Sequence, residues 1–87
     1  MYLHLGGDTV VRTEDILAIC DLDNASFSRH TRDMLKRAEK EGRVITVSEE
    51  LPKSFVFCAA EDGKGRVYLS QLNSATLVRR AESGALE

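Results

Sequence analysis

The sequence predicts a small, β-rich α+β domain with about five short strands, one central amphipathic helix and a short C-terminal helix. Three observations carry this. Apolar residues recur at helical spacing across residues 27–41, three short strand-like runs follow, and Gly, Asp and Pro turn signals punctuate the chain at short intervals.

Gly6-Gly7-Asp8 reads as a turn between two extended segments, Tyr2–Leu5 and Thr9–Arg12. Ile16-Leu17-Ala18-Ile19-Cys20 is a continuous apolar run and predicts a buried strand. The polar stretch from Asp21 leads to Ser26, a suitable N-cap. Phe27, Thr31, Met34, Leu35 and Ala38 then fall at i, i+4, i+7, i+8 and i+11, one sector of roughly 100° on a helix. Gly42 sits where a left-handed C-cap is expected. Strands are predicted at Val44–Val47, Ser54–Ala60 and Arg66–Leu69. Pro52 marks the turn between the first two, and Glu61–Gly65 a hairpin loop between the last two. Asn73 or Ser74 caps a closing helix from Ala75 to about Glu82, with Leu77 and Ala81 on one face. Residues 1–83 are thus expected to form one domain and residues 84–87 a flexible tail.

The chain has 87 residues, 43% of them apolar and 30% charged, with a formal net charge of −2. That composition suits one soluble domain. A domain this small buries only roughly 60% of its unfolded surface, so association with further copies is the expected remedy. No apolar run approaches membrane-span length, and the start lacks a charged signal-peptide region, which makes the cytoplasm the expected location. Cys20 and Cys58 lie far apart inside apolar runs and read as reduced, inert thiols, with no zinc spacing or disulfide framework. His4 and His30 have no companion motif. Gly6-Gly7 is too short for a phosphate loop, and Glu14-Asp15 and Glu49-Glu50 read as solvated carboxylates. No enzyme, metal or cofactor is therefore expected.

The most basic stretch is SRHTRDMLKRAEKEGR, residues 28–43. Arg29, Arg32, Lys36, Lys40 and Arg43 follow steps of three and four. With Arg43 placed as though the helix continued through Gly42, they share one face about 80° wide, opposite the apolar one. Two readings stand: the solvated face of a surface helix, or a docking face for phosphates or an acidic partner. No aromatic side chain is interleaved, which argues against a single-strand stacking platform.

Two segments, MYLHLGGDTVVRTEDILAI (1–19) and VYLSQLNSATLVRRA (67–81), resemble the ends of the extracellular matrix regulatory protein family (RemA/RemB), most closely its RemB branch. The middle, RDMLKRAEKEGRVITVSEELPKSFVF, keeps the same order of helix, glycine stop, strand, loop and strand. The resemblance implies an α+β fold and non-enzymatic regulation of biofilm-matrix genes by a homo-oligomeric ring. It also implies backbone contacts to double-stranded DNA. In the DNA-binding branch the contacting arginines precede the Ile16–Cys20 strand and lie in the loop after Val44–Val47. Here those places hold Glu14-Asp15 and Glu49-Glu50, with Lys53 the nearest cation. The nucleic-acid-binding candidates are therefore Arg29, Arg32, Lys36, Lys40, Arg43 and Lys53. The alternative is regulation through a protein, such as a paralogue that carries the missing arginines.

Overall fold

The computed structural model of the chain describes residues 1–22 and 29–83, which form an α+β domain. Strands β1 (Tyr2–Gly6) and β2 (Thr9–Arg12) pair as an antiparallel ribbon. A short 3-10 turn, Thr13–Asp15, leads into β3 (Ile16–Asp21). Helix α1 (Arg29–Lys40) precedes β4 (Val44–Thr46), β5 (Ser54–Cys58), β6 (Arg66–Ser70) and helix α2 (Ser74–Ser83). A four-stranded sheet runs β3-β5-β6-β4, with β4 parallel to β6 and the other neighbours antiparallel. Six strands appear where about five are expected, one at each of the six extended runs read in the sequence, and the first two form a sheet of their own. The expected Ser26 cap, Phe27 and the 84–87 tail lie outside the described residues.

Strand β5 is central, and all five of its residues are buried. Period-two alternation sends Phe55 and Phe57 to one face, where they meet Leu35 and Ala38 of α1. Their rings pack edge to face, with centroids 5.3 Å apart and planes at 80°. Val56 and Cys58 point to the other face, against Leu3, Leu5 and Val11 of the ribbon and Leu77 of α2. The sheet thus lies between α1 and a layer built from the ribbon and α2. A strand covered on both faces reads as a continuous apolar run.

Two burial expectations are corrected. The Ile16–Cys20 run is an edge strand rather than a fully buried one. Its register passes from Ile16↔Cys58 to Ala18↔Phe57, so Leu17 is the extra residue of a bulge and is 68% exposed. Met34, placed on the apolar face of α1, is 49% exposed. It stands at the edge of the apolar sector, where the helix surface turns away from the sheet.

Helix α1 ends as Gly42 implies. The Gly42 amide donates to the Glu39 carbonyl (3.2 Å) and the Arg43 amide to that of Ala38 (2.8 Å), a Schellman arrangement with Gly42 at φ +72°. At the start of α2 it is Asn73 that caps: its Oδ1 accepts from the Thr76 amide at 2.8 Å.

Two buried serines join the layers. Ser70 Oγ donates to the Leu5 carbonyl (2.6 Å) and accepts from the Leu72 amide (3.1 Å). Ser54 Oγ donates to the Leu72 carbonyl at 2.7 Å. Removing a buried hydroxyl leaves its partners unsatisfied at a cost of about 1–3 kcal/mol. Ser70→Ala is therefore expected to lower stability by that amount in urea denaturation, with the ribbon losing hydrogen-exchange protection first. An unchanged midpoint would show that the Ser70 hydroxyl does not tie the ribbon to the sheet.

Candidate functional site

The periodicity that buries Leu35 and Ala38 puts the cations of α1 on its solvent side. Arg29, Arg32, Lys36 and Lys40 are all exposed. Arg29, Arg32 and Lys36, with Asp33 among them, line one shallow depression, and Lys40 lies one turn further along. Arg29 opens the helix, where the backbone dipole is itself positive. This arrangement opposes helix stability and raises the local positive potential. It can attract an anion by charge, but it has no built pocket around one.

Arg43 does not join this stripe. After the Gly42 turn the chain leaves the helix direction and enters β4. The Arg43 guanidinium turns to the β5–β6 loop, donating to the carbonyls of Lys64 (2.7 Å) and Gly65 (3.1 Å). Its Nε and Nη2 reach Glu41 Oε1 at 2.8 and 2.7 Å. Gly65 makes this turn with φ +81°, and a Cβ there would stand 2.9 Å from the Cys58 carbonyl oxygen. Arg43 therefore fastens the end of α1 to a hairpin loop, and the projected fifth member of the stripe has a structural task. Lys53 is exposed in the loop before β5, where its amide donates to the Ser70 carbonyl at 2.8 Å.

The acids differ in their surroundings. Asp15 holds Arg12 in a two-pronged contact, Nε to Oδ2 at 2.9 Å and Nη2 to Oδ1 at 3.1 Å. That hydrogen bond, with the carboxylate charge behind it, keeps the Arg12 guanidinium more firmly protonated than usual. Glu14, Glu49 and Glu50 are exposed. In the β5–β6 loop Asp62 accepts from the Lys64 amide at 2.9 Å, which holds its carboxyl below the ordinary range.

Neither histidine gathers a site. His4 Nε2 lies 2.7 Å from the Gly7 carbonyl and braces the ribbon turn, and His30 is exposed on α1. Among the described residues no three His, Cys, Asp or Glu side chains are grouped to hold a metal ion. Cys58 is buried, which pushes its thiol up to about 11, with the Asp15 charge adding to the effect. Partial burial raises Cys20 as well. Among the described residues no helix is long and apolar enough to cross a membrane.

One feature had no sequence signal. Leu17, Met34, Ala38 and Phe57 line a groove together with Arg37, Arg43, Lys64 and Arg66. Arg37 projects off the basic stripe, and the bulge that presents Leu17 depends on a strand pairing between distant segments.

The RemA-like family model, described as extracellular matrix regulatory protein A-like, matches residues 2–81. The chain is 37% identical over 82 residues to extracellular matrix regulatory protein B of Bacillus subtilis (strain 168). That alignment covers 94% of this chain and 91% of the relative.

Two outcomes are expected. Arg43→Ala loses charge-assisted bonds worth about 1.5–3 kcal/mol. Denaturation should show that loss, with hydrogen exchange rising in the 61–65 loop. For Cys58, the unfolded thiol ionises near 9.0 and the folded one near 11. Stability is then full below pH 9 and falls as pH rises toward 11, by roughly 2–3 kcal/mol. A Cys58→Ala variant, compared with the parent across that range, should lack this part of the slope.

Proposed function

Because the chain belongs to the RemA-like family of extracellular matrix regulatory proteins, we propose that it is a non-enzymatic regulator of extracellular-matrix genes. It acts as a cytoplasmic homo-oligomer that binds the backbone of double-stranded DNA. The observation that carries the DNA part is the set of three exposed cations, Arg29, Arg32 and Lys36, around one depression on α1. Lys40 and Lys53 extend the positive surface. Arg43 adds nothing to this face, its guanidinium being engaged by Glu41 and two loop carbonyls.

One such face holds few phosphates, so useful affinity comes from repetition. Copies in an oligomer present the face several times to one duplex, and each added contact becomes intramolecular. The contacts are to phosphates, which position a protein but carry no base sequence. Preference among sites then comes from DNA shape.

A second reading has its own support. Glu14-Asp15 and Glu49-Glu50 stand where the resemblance implies arginines in the DNA-binding branch. Asp15 is engaged by Arg12, but the exposed Glu14, Glu49 and Glu50 suit a basic protein partner, such as a paralogous regulator, and regulation then runs through that protein.

Fluorescence anisotropy against a labelled duplex across a salt series separates the two. The DNA reading expects log K to fall linearly with log salt, with a slope of about −0.9 per phosphate engaged. Arg32→Glu with Lys36→Glu should weaken binding to all sequences alike and reduce the slope by about 1 per lost contact. Absence of binding at low salt by the folded protein would overturn the DNA reading. Capture of a paralogous regulator at several salt concentrations would then support the second.

A further inference from the structure

We propose that the Asp15 carboxylate occupies the phosphate-binding fork of Arg12 and so withholds one backbone contact from DNA. The proposal rests on the DNA reading above and deepens it, by naming a residue that limits how tightly one copy holds a duplex.

Arg12 ends β2, cross-strand from Tyr2 on the outer face of the ribbon, while Leu3 and Val11 pair on the buried face. Its side chain is 57% exposed and that of Asp15 30%. A duplex can therefore reach the guanidinium, but the edge formed by its Nε and Nη2 is already filled. Asp15 Oδ2 and Oδ1 accept from that edge at 2.9 and 3.1 Å. A carboxylate and a phosphodiester each offer two anionic oxygens to such a fork. Asp15 thus stands where a phosphate would, and its charge cancels that of Arg12. An exposed pair of this kind is weak, so DNA can displace the carboxylate. The displaced group stays beside the contact and repels the phosphate.

The surroundings admit an anion once that charge is gone. Arg12 and Arg66 line one open depression with Ala59 and Ala60, whose small side chains leave room beside both guanidiniums. Glu61 and Asp62 line it too, so two cations face three carboxylates, a formal −1 that becomes zero when Asp15 is neutralised. Asp62 is occupied by its own loop, accepting from the Lys64 amide at 2.9 Å. The turn into β3 has backbone bonds that do not involve the Asp15 side chain. The Thr13 amide donates to the Met1 carbonyl (3.0 Å), the Ile16 amide to that of Thr13, and the Ala59 amide to that of Asp15 (2.7 Å). Neutralising the carboxylate therefore leaves the backbone in place and releases the guanidinium.

Anisotropy against a labelled duplex across a salt series tests this with Asp15→Asn, Asp15→Asn/Arg12→Gln and Glu61→Gln. Asp15→Asn is expected to bind roughly five- to tenfold more tightly at about 0.1 M salt, with a salt slope steeper by about 1. The double variant is expected to return to wild-type affinity and slope. Glu61→Gln removes an equal charge from the same depression without touching Arg12, and is expected to leave the slope unchanged. A wild type that binds, with Asp15→Asn no tighter, would overturn the inference and leave the DNA reading standing. So would a double variant that keeps the gain, because Arg12 would not be the contact. An equal gain from Glu61→Gln would do the same, because charge alone would explain it. A wild type that does not bind, beside an Asp15→Asn that binds through Arg12, would overturn the DNA reading for this chain and support the inference. Absence of binding by both would overturn both. Circular dichroism checks that each variant is folded, and Asp15→Ser takes the place of Asp15→Asn if the amide variant is not.

Discussion

Complete burial of one short strand governs this molecule. Strand β5 presents Phe55 and Phe57 to one side and Val56 and Cys58 to the other. A two-sided apolar strand must be covered on both faces, and 87 residues leave little material for it. Helix α1 covers one face, while the β1–β2 ribbon and α2 share the other. Strands β3 and β4 become the edges of the four-stranded sheet. Only Ala38 of α1 is fully buried, with Leu35 and Thr31 partly so. The outer side of the helix is thereby left to solvent and carries its cations there.

The electrostatics follow from that placement more than from net charge. A total of −2 conceals a division into exposed lysines and arginines on α1 and exposed carboxylates at Glu14, Glu49 and Glu50. Potential at a surface depends on local grouping, so a mildly acidic protein can present a positive face. Counting charges along the chain also overstates what is available for binding. Arg12 is taken up by Asp15, and Arg43 by Glu41 and the loop carbonyls. Each guanidinium braces a junction: Arg12 the turn into β3, Arg43 the end of α1 against the β5–β6 hairpin.

The same economy bears on assembly. The core divides into two modest clusters on either side of the sheet, and exposed apolar side chains remain at Leu17, Met34 and Leu51. Contacts between copies can cover what one chain leaves open. A repeated subunit also turns a weak cationic face into a multivalent one, which gives the proposed assembly and the proposed DNA contact a common physical basis.

Much of the architecture was legible in the sequence because it rests on local chemistry. The 3.6-residue spacing of Thr31, Leu35 and Ala38 determined helix α1, Gly42 its end, and the glycine-containing loop at 61–65 the β5–β6 hairpin. The two ends of the chain identified the family. The exposure of Arg29, Arg32, Lys36 and Lys40 followed from the same periodicity. What the tertiary structure alone decided involves partners distant in sequence. The edge position of β3 and its bulge at Leu17 arise from pairing with a strand about forty residues away. The diversion of Arg43 needs carbonyls 21 and 22 residues further along. The groove exists only where α1, β3, β5 and β6 meet. Periodicity reports which face of an element turns inward, but it carries no information on which neighbour stands there, and that neighbour sets the fate of each side chain at the margin.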